Sequence, residues 1–401
     1  MTFAPTAAPT EDSATPVQGP SVAVIGGGQL ARMLQPAAVA LGVPLRVLAE
    51  GPEVSAAQVV RDTVVGDYRD LADLRAAARG CAVVTFDHEH VPPEHLEVLA
   101  AEGHACRPGP HALLLAQDKA VMRARLTELR VPVPRHRLVS DAEQLDCFAA
   151  GTGWPLVLKT PRGGYDGKGV HVVRSRQQAE TLLVQHGTLL AEELVDFRRE
   201  LSALVVRSPS GQVAAYPVVE SVQRDGVCAE VTCPAPGLDP GLSVHAQRIA
   251  MDLAASLDVV GVLAVELFET RAGQVLVNEL AMRPHNTGHW SIDGAVTSQF
   301  ENHLRAVLDL PLGDPTARAR WTCMVNVLGA PADSLVDRLY DGYPHVLARD
   351  PRVRVHLYGK SVRPGRKVGH ATTYGDDLDD VRERARHAAA WFRGDLPVAE
   401  G

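Results

Sequence analysis

Cysteine is scarce in this sequence, and the cysteines present form no pattern typical of a metal site or a disulfide framework. Six are scattered over 401 residues, without a Cys-x-x-Cys pair and without clustering with histidine. This scatter indicates reduced thiols and predicts a cytoplasmic protein. Cys228 and Cys233, the closest pair, are interpreted as core or surface residues.

Long apolar runs and long basic runs are absent as well. No segment approaches the roughly 18 apolar residues of a membrane-spanning helix. The net charge is −8 without a basic run, which argues against a nucleic-acid partner. The hydrophobic fraction of 46% is ordinary for a globular protein, and 401 residues suffice for two or three domains. Residues 1–20 lack the layout of a signal peptide and are predicted to be a disordered tail.

Lysine is rare because arginine supplies 35 of the 40 basic side chains. A chain that otherwise uses arginine is expected to keep lysine where a compact ammonium group is needed. All five lysines lie in segments that could bind an anion: Lys119, Lys159, Lys168, Lys360 and Lys367.

The most informative pattern is a β-hairpin in which two carboxylates face each other. Strands 262–268 and 275–280 are predicted to be joined by a polar turn centred on 272–273. With that centre, Glu266 and Glu279 are direct cross-strand neighbours. Like charges in that position destabilise a sheet, and a divalent cation between them removes the cost.

The residues around this hairpin favour a magnesium site beside an anion site. Asn278 adds a neutral oxygen, and Mg²⁺ is usually held by one or two carboxylates together with substrate phosphates. Arg283, His285 and Asn286 follow the second strand, where an anionic substrate would lie. The alternative is a solvated strand end that carries two unrelated glutamates.

The first domain opens like a Rossmann fold. Strand 22–25 leads through Gly26 and Gly28 into a helical pattern, and the N-terminus of such a helix can bind a phosphate. The glycines even fit the dinucleotide fingerprint, with Glu50 at a suitable distance. The alternative is a glycine turn that only packs the helix closely on the strand. Gln29 lies at the exposed corner of the turn, where its amide could reach a ligand.

A third strand, 82–86, ends in Asp87-His88-Glu89-His90. Polar residues at the carboxyl end of a parallel strand lie where open α/β sheets bind ligands. Strand alternation would send the two acids to one side and the two histidines to the other. Hydrogen bonding of a sugar by Glu89 is therefore favoured over a metal site.

A glycine-rich hairpin is the second strong signal. Strand 155–159 ends on Lys159, and strand 170–173 follows a loop whose backbone N–H groups could close over phosphates. It is not a Walker A loop, and an ordinary flexible hairpin is the alternative. Lys119 adds a candidate anion contact, because a cation in the first turn of helix 117–130 opposes the helix dipole. The loop contains Gly163, Gly164, Gly167, Lys168 and Gly169.

Two further segments could complete a nucleotide site. Strand 189–195 could read an adenine edge through its backbone, and Glu200 could accept hydrogen bonds from ribose hydroxyl groups. Near the C-terminus, four cations fall within residues 360–367. A Pro-Gly turn there would focus Arg366 and Lys367 on one phosphate monoester, and a solvated basic loop is the alternative.

Together these parts resemble an ATP-dependent ligase of the ATP-grasp superfamily. More narrowly, GGGQLARM, LKTPRGGYDGKG, NELAMRPHNTGHW and VRPGRKVGH are similar to segments of the 5-(carboxyamino)imidazole ribonucleotide synthases. The resemblance implies a mixed α/β and α+β fold with ATP-grasp architecture. It implies a Rossmann-like domain over 21–110, a two-lobed ATP-grasp domain over 111–312 with its lid lobe at about 135–210, and a small C-terminal α/β domain over 313–401.

The resemblance also implies a reaction. Enzymes of this family carboxylate 5-aminoimidazole ribonucleotide with ATP and bicarbonate through carboxyphosphate, in purine biosynthesis and without biotin. The implied cofactors and partners are ATP, Mg²⁺ (Mn²⁺ as an alternative), these small molecules and a second copy of the chain. Neither a nucleic acid nor a membrane is expected as a partner.

Site residues carry over from the family motifs by position. Arg283 would clamp bicarbonate, Asp166 and His285 would orient the amine or move its proton, and Tyr165 would close over them. Metal ligation falls to Glu266 and Glu279. ATP contacts are implied for Lys119, Lys159, Gly163, Gly164, Gly167, Lys168, Gly169, Glu192, Glu193, Leu194, Val195, Glu200, Asn278 and Glu279. Nucleotide substrate contacts are implied for Gln29, Leu30, Glu89, Asn286, Lys360, Arg366 and Lys367.

Three other functions remain open at this point. A sister ATP-grasp enzyme that transfers formate to glycinamide ribonucleotide shares the metal pair and the C-terminal cations. An NAD-dependent oxidoreductase would explain the N-terminal glycines but would leave Lys159 and the facing glutamates without a purpose. A non-catalytic nucleotide-binding subunit could tolerate the loss of Glu266, Glu279 or Arg283, all of which are present.

Overall fold

The computed structural model describes residues 19–164, 167–330 and 338–395. Within these ranges the strands form three sheets, and the site lies where the three sheets approach one another. The predicted tail, except Gly19 and Pro20, lies outside the described residues. No described helix is both long enough and apolar enough to cross a membrane.

The first sheet is parallel and has the strand order β3-β2-β1-β4. The predicted Rossmann-like opening is confirmed, because β1 is a fully buried Val-Ala-Val-Ile run followed by the glycine turn and helix α1. Strand β3 was not predicted, because its four residues are half-buried or exposed and form no apolar run. The elements are β1 Val22–Ile25, α1 Gln29–Leu41, β2 Leu45–Ala49, β3 Asp62–Val65, α2 Leu71–Ala78, β4 Val83–Phe86 and α3 Pro93–Ala101.

A carboxylate from the same sheet covers the N-terminus of α1. Asp87, directly after β4, accepts a hydrogen bond from the Ala31 backbone N–H at 2.7 Å. Burial is the main reason that the pKa of Asp87 rises to about 6. The predicted phosphate contact at this helix N-terminus stays a prediction, in which the Ala31 amide takes no part because Asp87 already accepts its hydrogen bond.

This contact predicts a strong effect of a single methyl group at Gly28. A Cβ atom there would lie 2.0 Å from Oδ2 of Asp87, which is held from the other side by Ala31. We expect Gly28→Ala to lower the free energy of unfolding by about 1–3 kcal/mol, as overpacking does. Denaturant unfolding would measure this. Gly51→Ala is the control, since nothing lies within 4 Å of its Cβ position, and an equal loss there would contradict the argument.

Two consecutive helices connect the first sheet to the second. The helix predicted over 117–130 is α5, Lys119–Glu128, and begins two residues later than predicted, since Asp118 ends α4 and caps α5 by accepting from the backbone N–H groups of Ala120 and Val121. The second sheet is antiparallel with the order β5-β8-β6-β7. The elements are α4 Pro110–Gln117, α5 Lys119–Glu128, β5 His136–Val139, α6 Ala142–Thr152, β6 Leu156–Lys159, β7 Val170–Val173, α7 Arg176–His186 and β8 Leu189–Glu193.

The third sheet has nine strands, in the order β14-β13-β9-β11-β12-β15-β17-β16 with β10 beside β9. Its long strand β9 was not predicted, and it includes residues that the expected lid lobe over 135–210 also covered. The elements are β9 Phe197–Arg207, β10 Val213–Ala215, β11 Val219–Arg224, β12 Val227–Cys233, α8 Pro240–Ser256, β13 Gly261–Thr270, β14 Val275–Ala281, α9 Ser291–Gly294, α10 Gln299–Val307, β15 Trp321–Leu328, α11 Tyr343–Arg349, β16 Arg354–Leu357, β17 Lys367–Gly375 and α12 Leu378–Arg393. Short 3₁₀ turns occupy Asn286–Gly288 and Leu339–Gly342.

The C-terminal strands are part of this same large sheet. β12 pairs with β15 in antiparallel register, so that Glu230 faces Val325 and Cys233 faces Thr322. The sequence had suggested a small separate α/β unit, because strand patterns do not reveal which edge a strand joins. This edge-to-edge pairing carries the basic segment after β16 back to the centre of the molecule.

One hydrophobic cluster connects the first domain to the segments that flank the site. Leu30 and Leu34 of α1 pack with Phe300 and Leu304 of α10, and Tyr358 joins the same buried cluster. The backbone carbonyl of Tyr358 accepts from the Ser55 hydroxyl group at 2.6 Å. Gln58 donates to the Gly359 carbonyl at 2.7 Å. These contacts place the start of the C-terminal basic segment beside the N-terminal glycine turn.

Candidate active site

The three sheets enclose a cavity of about 970 Å³. Its walls contain most of the residues that the sequence singled out, from segments far apart along the chain. Those lining it are Gln29, Leu30, Glu89, Lys119, Lys159, Gly163, Gly164, Gly167, Glu192, Glu193, Leu194, Val195, Glu200, Glu266, Asn278, Glu279, Arg283, His285, Asn286, Lys360 and Lys367.

Five predicted site residues are not placed on the cavity wall. Lys168 and Gly169 follow the loop glycines but do not line the cavity. Arg366 does not line it either, because its guanidinium donates to the Ser361 hydroxyl group at 2.8 Å. Tyr165 and Asp166 lie outside the described residues. The phosphate contact of Arg366 stays a prediction and would require its guanidinium group to leave Ser361, whereas Lys367 already lines the cavity.

The facing carboxylates are confirmed, with one irregularity. Glu266 of β13 pairs directly with Glu279 of β14. The next pair is Leu267 with Val277, so Asn278 is an extra residue in a β-bulge. A regular strand would send the side chains of Asn278 and Glu279 to opposite faces. The bulge changes the direction of one of these two side chains, so that both Asn278 and Glu279 line the cavity.

Three carboxylates repel one another at this place. The pKa of Glu266 is raised, first by burial and then by the charges of Glu279 and Glu200. Burial, and then the charge of Glu279, raises the pKa of Glu200 to about 7. A cation among these oxygen atoms would relieve the repulsion, and carboxylate and amide oxygens are the donors that Mg²⁺ prefers.

The donor set fits a cation that also needs oxygen atoms from a ligand. Among the described residues, no group of three or more His, Cys, Asp and Glu side chains is arranged to hold a metal ion by itself. Two glutamates and one asparagine leave coordination positions open, which is the usual protein share of a magnesium site that is completed by phosphates.

Lys159 is held by a buried ionic network. Its ammonium lies 2.9 Å from Oε2 of Glu192 and donates to Oδ1 of Asn278 at 3.0 Å. Oε1 of Glu192 accepts from Nε of Arg123 at 2.6 Å, and Arg123 also donates to the Val277 carbonyl. Burial opposes ionisation of Glu192, but Lys159 and Arg123 together lower its pKa. The side chain of Glu192 thus holds Lys159. At Glu192 only the backbone therefore remains available to contact the edge of an adenine base.

Lys119 and the glycine loop cover the same end of the cavity. The Lys119 ammonium lies 3.6 Å from Oε1 of Glu279 and donates to the Gly164 carbonyl at 3.4 Å. Gly167 lies close to another turn, since a Cβ there would be 2.8 Å from the Cα atom of Gly226. The described glycines Gly163, Gly164 and Gly167 thus line the cavity, and Gly167 lies close to the hairpin of β11 and β12.

The segment after β14 places a cation and an imidazole next to the carboxylates. Nε of Arg283 lies 2.8 Å from Oε1 of Glu89. Nε2 of His285 lies 3.4 Å from Oε1 of Glu266. The Thr287 backbone N–H points at Nδ1 of His285, and the Thr287 hydroxyl group is 2.8 Å from the same atom. Because Nδ1 accepts, the proton of the neutral ring is on Nε2, facing Glu266.

At the opposite end, the first domain and the C-terminal segment meet. Lys360 donates to Oε1 of Gln29 at 2.6 Å, and its ammonium group also lies over the Tyr358 ring. Strand β4 stops at Phe86, so residues 87–90 do not alternate as predicted, and all four line the cavity. Gln29 and Lys360, which are far apart along the chain, thus meet on the wall of the same cavity.

Sequence reasoning missed several residues that shape this site. Arg123 is 1% exposed, yet as one of 35 arginines it carries no signal in the sequence. His289 and Gln299 are fully buried beside His285. His289 lies in the motif NELAMRPHNTGHW. The spacing of residues along the sequence did not indicate that it pairs with the buried Gln299.

Family comparisons cover nearly the whole described chain. Residues 20–117 match the ribonucleotide synthetase preATP-grasp domain, and residues 124–300 match the ATP-grasp domain. Residues 322–384 match the phosphoribosylaminoimidazole carboxylase C-terminal domain. The second match spans the second sheet and strands β9–β14 of the third, and the last match covers strands β15–β17 of that same third sheet.

Individual relatives agree with these matches. The N5-carboxyaminoimidazole ribonucleotide synthase of Mycobacterium bovis is 56% identical over 380 residues, which cover 93% of this chain and 88% of the relative. That of Corynebacterium ammoniagenes is 51% identical over 378 residues, which cover 92% of this chain and 91% of the relative.

Solved structures are similar over the same extent. The N5-carboxyaminoimidazole ribonucleotide synthetase of Thermus thermophilus superposes with a TM-score of 0.84 at 39% identity, covering 94% of this chain and 99% of that one. The N5-carboxyaminoimidazole synthase of Aspergillus clavatus, solved with ADP and 5-aminoimidazole ribonucleotide, gives a TM-score of 0.85 at 30% identity, covering 94% and 99%.

Proposed function

The chain belongs to the family of N5-carboxyaminoimidazole ribonucleotide synthases, ATP-grasp ligases of purine biosynthesis, and from this premise we propose how its cavity works. The activity is the ATP-dependent carboxylation of 5-aminoimidazole ribonucleotide to its N5-carboxyamino derivative. In the proposal, bicarbonate is the carbon source and carboxyphosphate the intermediate, so that ADP and phosphate are released.

The carboxylate-rich end of the cavity is the proposed site of phosphoryl transfer. Phosphoryl transfer needs positioning and charge neutralisation rather than a covalent protein nucleophile. Lys119 and Lys159 stand beside the glutamate pair and would contact the ATP phosphates. Mg²⁺ held by Glu266 and Glu279, with Mn²⁺ as an alternative, would supply further charge neutralisation when bound.

The middle of the cavity is the proposed site of the bicarbonate-derived group. Arg283 would bind it with two parallel N–H groups, after exchanging its present partner Glu89 for the anion. His285 presents a neutral Nε2–H group close by and would orient the group that attacks or leaves. The glycine loop would exclude water from carboxyphosphate, since its described glycines already line the cavity.

The part of the cavity around Gln29 and Lys360 is the proposed site of the nucleotide substrate. Lys360, which donates to Gln29, would bind its 5′-phosphate together with Lys367, which lines the same cavity. Glu89 would be released from Arg283 to accept a hydrogen bond from a ribose hydroxyl group. One observation carries the whole proposal: a single cavity is lined by a facing glutamate pair, by Lys119 and Lys159 beside that pair, and by Gln29, Lys360 and Lys367.

The proposal further includes a cytoplasmic homodimer that works without biotin. All six cysteines are free, which suits a reducing compartment. ATP and bicarbonate are sufficient for the chemistry, because carboxyphosphate delivers the carbon inside one closed cavity. Light scattering at several protein concentrations would test the dimer, and a constant monomer mass would remove it from the proposal.

The direct test is ADP release by the purified chain with Mg-ATP and 5-aminoimidazole ribonucleotide, at bicarbonate concentrations from trace to saturating. ADP formation should require the nucleotide and rise with bicarbonate, and labelled bicarbonate should give acid-labile carbon in the product. ADP release that ignores bicarbonate would remove it as the carbon source. Turnover with glycinamide ribonucleotide and formate instead would assign the sister reaction.

Arg283→Lys tests the proposed anion clamp. Lysine keeps the charge but loses the two parallel N–H donors, so we expect kcat/KM for bicarbonate to fall about 10- to 100-fold. The KM for ATP should change little. Arg75→Lys, at an exposed pair with Glu102, is the control. Bicarbonate kinetics in Arg283→Lys equal to those of the control would contradict the clamp.

A further inference from the structure

The buried side chain of Gln299 determines which ring nitrogen of His289 carries the proton. None of the roles assigned above belongs to His289. Oε1 of Gln299 accepts from the His285 backbone N–H at 2.8 Å. The amide nitrogen of Gln299 donates to the His285 carbonyl at 2.8 Å. These two hydrogen bonds to the backbone of His285 identify which end of the Gln299 side-chain amide is the nitrogen. The same nitrogen lies 3.0 Å from Nδ1 of His289, so Nδ1 must accept.

It follows that the neutral His289 ring carries its proton on Nε2. His289 is fully buried, and no described residue offers its Nε2 atom a hydrogen-bond partner. Burial, with help from the charges of His285 and Lys367, holds the pKa of His289 well below its usual range. A buried donor without a partner is costly, which makes it an exception that calls for an explanation.

The local backbone places His289 on the cavity wall. Residues 286–288 form a 3₁₀ turn, and in such a turn side chains three positions apart lie on the same side. Asn286 and His289 both line the cavity, whereas the two residues between them do not. The Asn286 side chain is buried as well, and its hydrogen-bond contact among the described residues is to the Cys228 thiol.

Packing holds the ring in this orientation. The His289 ring lies against Phe300, with ring centres 5.6 Å apart, and against His370, at 5.3 Å. Phe300 belongs to the buried cluster that joins α1 to α10. The donor is therefore positioned before any ligand arrives, and a ligand gains its hydrogen bond without ordering the side chain first.

We propose that the Nε2–H group of His289, next to the Asn286 amide, is a substrate-binding donor for an anionic oxygen. The ligand chemistry follows from the neighbours, since Lys367 and Arg283 are close enough for their charges to act on the same ring. Two substrates could supply such an oxygen: the phosphate of the nucleotide, or bicarbonate and the carboxyphosphate made from it. This inference rests on the proposed function and adds one residue to its binding site.

Two amide substitutions separate this role from a structural one. The side-chain amide of asparagine reaches about as far as Nδ1, so His289→Asn keeps an acceptor for Gln299 and loses the donor to the cavity. Glutamine reaches about as far as Nε2, so His289→Gln keeps that donor and loses the partner of Gln299. The two variants remove opposite ends of one ring, and each is the control for the other.

Steady-state kinetics and calorimetric titration of the nucleotide would be measured on the wild type and both variants. We expect His289→Asn to lose about 10- to 100-fold in kcat/KM for one substrate, the range for a lost hydrogen bond to a charged acceptor. His289→Gln should stay within about threefold of the wild type, and the KM for ATP should be unchanged in both.

The pattern of the loss identifies the oxygen. A rise in both the KM and the Kd of 5-aminoimidazole ribonucleotide assigns the phosphate. A loss confined to bicarbonate kinetics, with unchanged nucleotide Kd, assigns the bicarbonate-derived group. Wild-type constants in His289→Asn, or an equal or greater loss in His289→Gln, would overturn the inference. Absence of nucleotide-dependent turnover in the wild type would instead be a failure of the proposed function.

Discussion

Glu279→Gln should lower the ATP-dependent turnover of 5-aminoimidazole ribonucleotide by about 10³-fold or more while the chain remains folded. The substitution removes one of the two facing carboxylates and lowers the negative charge that would hold Mg²⁺. The fold should survive, because Glu279 is partly exposed and its removal relieves repulsion with Glu266 and Glu200. ADP release at several Mg²⁺ concentrations would measure the loss, and denaturant unfolding would check the fold.

The matched control for this variant is Glu128→Gln. Glu128 lies on α5, is 65% exposed, and pairs only with Arg125 of its own helix among the residues that the structure describes. Its loss should alter neither turnover nor the dependence on Mg²⁺. Near-wild-type turnover in Glu279→Gln would remove the metal argument, and with it the reason for the facing pair.

Glu192→Gln should produce the largest loss of stability, about 3–5 kcal/mol in the free energy of unfolding. The substitution keeps the shape of the side chain but leaves Lys159 and Arg123 without their shared counter-charge. These two cations are only 5% and 1% exposed, so water cannot replace the carboxylate. Breaking a buried ion pair from one side leaves an uncompensated charge, which costs about this amount.

The neighbouring position provides the control for this prediction. Glu193 pairs with Arg135, which is 60% exposed, and surface pairs of this kind contribute about 1 kcal/mol or less. Glu193→Gln should therefore shift the unfolding midpoint in denaturant only slightly. Equal losses for the two variants would mean that the network around Lys159 contributes no more than an ordinary surface pair.

The Glu192 network also shows why the lysine and the metal pair are coupled. Lys159 and Glu192 lie on the second, four-stranded antiparallel sheet, whereas Asn278 lies in the β14 bulge of the third, nine-stranded sheet. Arg123 reaches the same network from α5 and donates to the Val277 carbonyl of β14. The phosphate-binding lysine is therefore fixed relative to the glutamate pair by contacts on three elements.

Local patterns were sufficient to predict the chemistry of this site. The hairpin could be identified because strand alternation and a polar turn are short-range signals, and direct pairing of Glu266 with Glu279 followed from counting. The glycine hairpin after Lys159 could be identified for the same reason, since β6 and β7 are sequence neighbours. Each of these features depends on residues less than about twenty positions apart.

The bulge at Asn278 could not be found by counting residues from the turn. Thr270 and Gln274 close the turn, so its centre is Ala272 rather than the junction of Ala272 and Gly273. The extra residue at Asn278 restores the predicted pairing further along the strands. Turn and bulge compensate each other, and only the three-dimensional pairing reveals that both are present.

The sequence by itself determined the fold class, the chemical identity of the cavity residues and the direct pairing of the two glutamates, because these depend on residue type and local spacing. The tertiary structure decided which groups meet. It placed the Asp87 carboxylate against the Ala31 amide of α1, selected Arg123 among 35 arginines, and joined the C-terminal strands to the large sheet. Such contacts depend on packing between distant segments, and a side chain carries no local signal of its distant partner.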